Sequence, residues 1–392
     1  MRGWPVAGGE VAASLGVYIH FPYCLSHCPY CDFAVEVART IPGERYAAAV
    51  LAELDRRADG FAPLGPARSV FFGGGTPSLW EPAFFARILE AIDRRLGLSE
   101  GAEVSLEANP EDGAADRFAA IRAAGVTRIS LGVQSFDDAT LKALGRRHRG
   151  EEASRAVGAA LEAGFASVSV DLIYGARGQT IEGAASDARR TASLGVPHVS
   201  AYALTLDELA VEVPMARLAR SGRLRLPDAD DQAAMGGAVR EELASGGLPR
   251  YEISNHAREG HRARHNLGYW LAEPYLGLGV GAAGALATGR YTNARPTGPY
   301  FESLERGELP PGERDPLDRD ARRSERIFLG LRLVEGLDLA AFAAAFGGAD
   351  AAALRERARP LAELGLASLS RDRLALTERG LDLHGELCAR LV

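Results

Sequence analysis

The sequence predicts an α/β fold: a parallel sheet rolled into a partial (β/α)6, TIM-like barrel, followed by a mostly helical, winged-helix-like C-terminal domain. Two observations carry this. Between residue 15 and about residue 205, short apolar runs alternate six times with amphipathic or alanine-rich stretches of helical length. Each apolar run also ends in a polar or glycine-rich group, and in α/β barrels such strand ends gather on one active face.

The first strand, Leu15–His20, leads into a cysteine-rich loop, and the second, Ser69–Gly73, into Gly73-Gly74-Gly75-Thr76-Pro77. Strands Glu103–Glu107, Arg128–Gln134, Ser167–Tyr174 and His198–Ala203 end at or near Glu107, Gln134, Asp171 and Tyr202. Helical patterns lie between them over Glu44–Ala58, Pro82–Leu96, Ala114–Ala124, Glu151–Ala163 and Ile181–Leu194. Gly125, Gly164 and Gly195 follow three of these, where a helix C-cap favours glycine. Strand–helix alternation implies parallel strands with right-handed crossovers, and six units leave the barrel incomplete.

Four segments result. Residues 1–14 hold one arginine and no sustained apolar core, so they read as a flexible leader rather than an export signal. Residues 15–215 form the barrel. Over 216–319 the alternation is lost, with proline and glycine frequent, and Leu309-Pro310-Pro311-Gly312 reads as a linker. Residues 320–392 carry helical patterns at Arg322–Leu333, Leu337–Phe346, Ala351–Leu364 and Thr377–Leu391, with a hairpin-like wing at Leu366–Leu376. A wing invites a DNA-binding reading, but no basic recognition face accompanies it, and a packing role is the better one.

Composition narrows the function classes. The chain has 392 residues and a formal charge of 45 − 52 = −7, which argues against a nucleic-acid partner. No apolar run is long enough to span a bilayer. Three of the four cysteines, Cys24, Cys28 and Cys31, crowd into eight residues, and the fourth, Cys388, lies at the far end. That parity defeats a disulfide framework, and exposed thiols suit a reducing cytoplasm. An iron–sulfur cube has four irons, so three thiolates leave one iron open to a small molecule. A zinc site is the rival reading, with His20 or His27 as fourth ligand. The consecutive glycines at Gly73–Gly75 let backbone approach a ligand closely and point free amides or carbonyls at it; no Gly-Lys-Ser/Thr follows, so this is not a phosphate loop.

Taken together, these segments resemble radical S-adenosylmethionine (SAM) proteins, in particular the group containing oxygen-independent coproporphyrinogen III dehydrogenase and the HemW-type heme chaperones. The likeness runs from Val17 onward. It rests on Cys-x3-Cys-x2-Cys after a strand, Phe71-Phe72-Gly73-Gly74-Gly75-Thr76-Pro77, Glu107-Ala108-Asn109-Pro110 and Arg128-Ile129-Ser130-Leu131-Gly132-Val133-Gln134-Ser135-Phe136. Further matches are Leu144-Gly145-Arg146, Asp171-Leu172-Ile173-Tyr174-Gly175, Tyr251-Glu252-Ile253-Ser254-Asn255 and His265-Asn266-Leu267-Gly268-Tyr269-Trp270. The resemblance implies a [4Fe-4S] cluster on Cys24, Cys28 and Cys31, with SAM chelating the open iron and yielding methionine and a 5′-deoxyadenosyl radical on reduction. By the same likeness Tyr18 and Gly74 contact that SAM, Glu107 takes its ribose and Tyr30 leans against it. A second SAM position falls to Gly75, Thr76, Gln134, Arg146, Asp171 and Ala203.

Two features favour the heme-chaperone branch. The dehydrogenase carries a further cysteine two residues after the third ligand, where this chain has Phe33; phenylalanine can neither donate a proton nor trap a radical. The run His265-Asn266-Leu267-Gly268-Tyr269-Trp270 looks like the HemW His-Asn-x-x-Tyr-Trp signature, which implies a heme site of His265, Asn266, Tyr269 and Trp270. Imidazole can ligate heme iron, and the two aromatics offer flat surfaces to a porphyrin. A buried His–Asn pair with aromatic core packing is the plainer reading of the same residues. Gly279-Val280-Gly281-Ala282-Ala283-Gly284 departs from the relatives' pattern by losing a histidine. The expected function is that of a cytoplasmic heme carrier with a heme-acceptor protein and an electron donor as partners. The alternative is a coproporphyrinogen dehydrogenase or a related radical SAM methyltransferase.

Overall fold

The computed structural model describes residues 15–206, 209 and 211–392; the leader expected over residues 1–14 lies outside them. The six barrel strands are β1 (Leu15–Phe21), β2 (Ala67–Gly74), β3 (Leu98–Ala108), β4 (Arg128–Gln134), β5 (Ser167–Tyr174) and β6 (His198–Ala203). All pair in parallel with their sequence neighbours. Between them run α1 (Gly43–Phe61), α2 (Pro82–Leu96), α3 (Ala115–Ala123), α4 (Gly150–Glu162) and α5 (Ile181–Ser193). The α/β class and the helical C-terminal domain thus follow the sequence. β3 starts five residues earlier than its apolar pattern, because Leu98 pairs with Ala67 across a bulge that the polar Ser99-Glu100-Gly101 hides in the sequence.

Alternation within each strand divides the faces. Val17, Ile19, Val70, Phe72, Leu106, Ile129, Leu131, Val170 and Val199 are buried under the helices. On α2, Phe85, Ile88 and Ile92 meet this layer, with the Phe85 and Phe72 rings 5.0 Å apart, each such side chain contributing about 1.5–3 kcal/mol. The opposite face carries small polar residues, Ser69, Ser105, Ser130, Ser169 and Ser200, and the hydroxyls of Ser69, Ser130, Ser169 and Ser200 serve groups inside the barrel.

The region 216–319 is not a separate connector. It adds β7 (Asn255–Ala257) antiparallel to β6 at one edge, and β8 (Tyr275–Leu278) parallel to β1 at the other. Beyond β8 come β9 (Ala283–Leu286), β10 (Gly289–Asn293) and β11 (Gly312–Pro316), all antiparallel. Among the described residues the sheet therefore runs β11-β10-β9-β8-β1-β2-β3-β4-β5-β6-β7. The prolines read as a linker lead straight into β11, an exposed edge whose Glu313, Arg314, Asp315 and Pro316 discourage further strand pairing. A short helix, α6 (Arg264–Trp270), precedes β8.

The C-terminal domain begins with α7 (Arg319–Gly330) and has its own core of Ile327, Phe342, Leu354, Leu374 and Leu391. Its wing is the hairpin Ala367–Leu369 with Arg373–Leu376, to which Leu337–Asp338 adds a third strand. Among the described residues no helix is long and apolar enough to cross a membrane.

Candidate functional site

The C-terminal ends of β1 to β6 surround a cavity of about 630 Å³, so the sheet curls enough to bring its six strand ends together. Its lining includes Cys24, Cys28, Cys31 and Tyr30 from the first loop, Gly74, Gly75 and Thr76, then Glu107, Gln134, Arg146, Asp171 and Ala203. Six unrelated loops contribute, which the common phase of the strand endings anticipated.

The cysteine loop is tied down at both ends. Residues Tyr23–Cys24 pair in parallel with Glu36–Val37, and the Cys31 amide donates to the Cys28 carbonyl at 3.1 Å. His20, beneath the loop, has Nε2 on the Ala34 carbonyl at 2.8 Å and Nδ1 on the Tyr18 hydroxyl at 3.0 Å. Burial lowers its pKa to about 4, so the ring is neutral. His27 spends Nε2 on the Cys31 carbonyl. Both nitrogens of His20 are thus engaged, whereas the three thiols line the cavity together with His27. Burial pushes the Cys31 thiol up to about 11 and raises that of Cys24, so metal loading must displace protons. Each thiol has a donor beside it: Thr76 Oγ1 at 3.5 Å from Cys24 Sγ, Arg146 Nη1 at 3.6 Å from Cys28 Sγ, and the Phe33 amide at Cys31. Three cavity-facing sulfurs, each with a donor beside it, fit a cluster held by three thiolates. Cys388 is buried in the C-terminal domain, its Sγ 3.4 Å from His384 Nε2.

The glycine loop works differently from the free-amide expectation. The Gly75 and Thr76 amides donate to the Phe21 and Tyr23 carbonyls at 2.6 and 2.9 Å, and the Gly74 amide donates to Glu107 Oε2 at 2.9 Å. A Cβ on Gly75 would lie 2.6 Å from the Tyr23 carbonyl oxygen, so glycine there lets the loop dock on the cysteine segment.

Glu107, Gln134 and Asp171 are among the polar side chains that face the cavity from the strands. Burial lifts the Glu107 pKa to about 8, and that of Asp171 to about 6, while Ser130 donates to Asp171 Oδ1 at 2.9 Å. Gln134 has φ 67°, a left-handed conformation that costs a non-glycine residue roughly 1–2 kcal/mol and bends the end of β4 into the cavity wall.

Tyr18 and the His-Asn-x-x-Tyr-Trp residues do not line this cavity. Tyr18 has its hydroxyl on His20 Nδ1 at 3.0 Å. Helix α6 plugs the opposite, N-terminal end of the barrel. Glu103 accepts from the Arg264 and His265 amides, and Gly16 admits the His265 ring, 3.3 Å from where a Cβ would sit. His265 Nδ1 meets Ser69 Oγ at 2.9 Å and Nε2 meets the Tyr269 hydroxyl at 2.8 Å; the residue is 3% exposed, and burial lowers its pKa to about 3. Both His265 ring nitrogens are thus engaged, and the space beside the ring is only about 10 Å³. Trp270 lies under Arg332, 4.1 Å from its guanidinium carbon, so its ring already has a partner. Asn266, half-buried on the same helix, is likewise apart from the cavity. Asn109, Ser130 and Tyr202 line the cavity without having been singled out as ligand residues; the Asn-Pro at the end of β3 was the available signal for the first.

Comparison with known proteins extends the picture. The family described as the Radical SAM superfamily matches residues 18–190, and the HemN C-terminal domain matches 317–383. The chain is 39% identical over 369 residues to the heme chaperone HemW of Mycobacterium tuberculosis, covering 93% of this chain and 91% of that protein. It is 32% identical over 373 residues to HemW of Bacillus subtilis, covering 94% and 97%. The solved coproporphyrinogen III oxidase (HemN) of Escherichia coli, a radical SAM enzyme, superposes with TM-score 0.81 over 97% of this chain and 90% of its own, at 23% identity, a likeness of fold.

Proposed function

The chain belongs to the HemW family of radical SAM proteins, and from that premise we propose that it binds heme and passes it to acceptor proteins. Cys24, Cys28 and Cys31 would hold a [4Fe-4S] cluster, with one iron free of protein ligands for SAM. Bound there, the cluster supplies one-electron reduction of the SAM sulfonium. Glu107 accepts from the ribose hydroxyls, and its ionised form offsets the sulfonium charge. Gly74 and Tyr30 shape the same space, while Gly75, Thr76, Gln134, Arg146, Asp171 and Ala203 leave room for a second SAM. Tyr18 acts from below, through the His20 ring that fastens the loop at Ala34.

Heme is too large for the space beside His265 and is held at the open mouth of the cavity. Phe33 is 56% and Leu25 46% exposed on that rim, an apolar surface of the kind a porphyrin face covers. Phe33 is also the observation that carries the reading over porphyrinogen decarboxylation, because the position offers neither a proton nor a radical trap. Three reduced thiols at one cavity suit a reducing cytoplasm, where an electron donor would reach the cluster loop.

Anaerobic titration with hemin tests this: a stoichiometric Soret shift supports it, and its absence removes the chaperone role. Protoporphyrinogen formed from coproporphyrinogen and SAM would favour the dehydrogenase instead.

A further inference from the structure

We infer that Asn109 sets the reduction potential of the cluster by orienting the two side chains that donate to its cysteine sulfurs. The inference rests on the cluster assignment above and concerns a residue to which that assignment gives no part.

The backbone aims the side chain. Asn109 follows the last residue of β3 and precedes Pro110, which excludes the helical region; it sits at φ −98°, ψ 151°, extended into the cavity wall. Arg146 Nη2 donates to Asn109 Oδ1 at 2.7 Å and to the Gly132 carbonyl at 2.9 Å, and Nη1 of the same guanidinium reaches Cys28 Sγ at 3.6 Å. Asn109 Nδ2 donates to Thr76 Oγ1 at 3.1 Å, and that hydroxyl donates to Cys24 Sγ at 3.5 Å.

The polarity of this chain is forced. A guanidinium has no acceptor, so the amide must turn its oxygen to Arg146 and its NH2 to Thr76. The NH2 occupies a lone pair of the Thr76 hydroxyl and leaves the hydroxyl hydrogen for Cys24. Gly132 keeps the space open: a Cβ there would lie 3.0 Å from Gln134 Nε2 and 3.4 Å from Asn109 Oδ1. One amide thereby fixes donors to two of the three ligand sulfurs.

Reduction adds negative charge that spreads onto the thiolates. Donors and a nearby cation stabilise the reduced form, so this network raises the potential and eases electron entry. Asn109 is a positioning residue in this scheme, since it touches neither sulfur.

The test is an EPR-monitored potentiometric titration of the reconstituted full chain without SAM, with iron and sulfide counted in each sample. Asn109→Leu keeps the volume and removes both hydrogen bonds. Its cluster should be about tenfold harder to reduce, a shift of ~59 mV to lower potential for one electron. Thr76→Val should shift the same way by a smaller amount, and Thr76→Ser should restore the wild-type value. An Asn109→Leu protein with full iron and sulfide and an unmoved potential overturns the inference. Should that variant assemble no cluster, the Thr76 pair decides: a fully loaded Thr76→Val protein at the wild-type potential overturns it equally. A wild-type chain that takes up no cluster overturns the proposed function, and this inference with it.

Discussion

Arg332 donates to the fully buried carboxylate of Glu252 at 3.2 Å while its guanidinium carbon lies 4.1 Å from the centre of the Trp270 ring. One side chain of the C-terminal domain therefore grips both the Tyr251-Glu252-Ile253-Ser254-Asn255 segment and helix α6. Glu252 also accepts from the Ser254 amide, and Tyr251 joins His198 to the Ala263 amide at the entrance to α6. The 251–255 segment and helix α6 together fasten the C-terminal domain to the base of the barrel.

Removing one partner of such a pair strands a buried charge. Arg332→Ala should cost about 3–5 kcal/mol in urea unfolding. A loss below about 1 kcal/mol would show that Glu252 finds other compensation.

His265 supports the barrel base from both ring nitrogens. His265→Ala leaves the Ser69 and Tyr269 hydroxyls without their partner and should cost about 1–3 kcal/mol for each group left unsatisfied. The hemin Soret shift should keep its stoichiometry. Loss of the shift in a folded His265→Ala protein would return the imidazole to the role of iron ligand.

Phe33 should matter to heme and not to folding. Because it is 56% exposed, Phe33→Asp should leave the melting temperature nearly unchanged. Hemin affinity should fall about tenfold, ~1.4 kcal/mol, as apolar contact is replaced by a carboxylate facing the porphyrin. Equal affinity in the variant would place heme elsewhere.

Glu107 gives the ligand-free protein a pH signature. Burial lifts its pKa to about 8 from the ordinary 4.5, so the folded chain keeps a proton that the unfolded chain releases. The stability tied to that proton is complete below about pH 4.5 and is lost as pH rises through about 8. Asp171, raised to about 6 by burial, acts in the same sense over a lower range. Glu107→Gln should therefore gain stability relative to wild type between pH 5 and 9 in anaerobic thermal melts. Parallel curves for the two proteins would show that the carboxyl is not desolvated.

The barrel was legible because its outward strand residues are Val, Ile, Leu and Phe, and its helices carry matching apolar stripes. All five barrel helices fall within three residues of their sequence patterns, α2, β4, β5 and β6 coincide with theirs, and the widest departure is the five-residue early start of β3. The edges were not legible. β8 has four residues, two of them the glycine and leucine of Tyr275-Leu276-Gly277-Leu278, and its parallel partner β1 lies some 260 positions away; no local pattern encodes that pairing. Cavity residues at strand ends could be placed by phase alone, which is how Glu107, Gln134 and Asp171 were found. The surroundings of His265 could not: the same spacing suits a ligand presented to heme and a ring plugged into the barrel, and its neighbours Ser69 and Gly16 are far off in sequence. Strand phase points Tyr18 inward but does not show that its hydroxyl meets the His20 ring.

The central claim is a cubane on three thiolates with an iron left for SAM, and anaerobic reconstitution followed by metal analysis and EPR tests it most directly. About four irons and four sulfides per chain are expected, with a reduced spectrum that changes when SAM is added and disappears in Cys24→Ser, Cys28→Ser or Cys31→Ser. A chain that takes up zinc alone, or a cluster whose spectrum is indifferent to SAM, would contradict it.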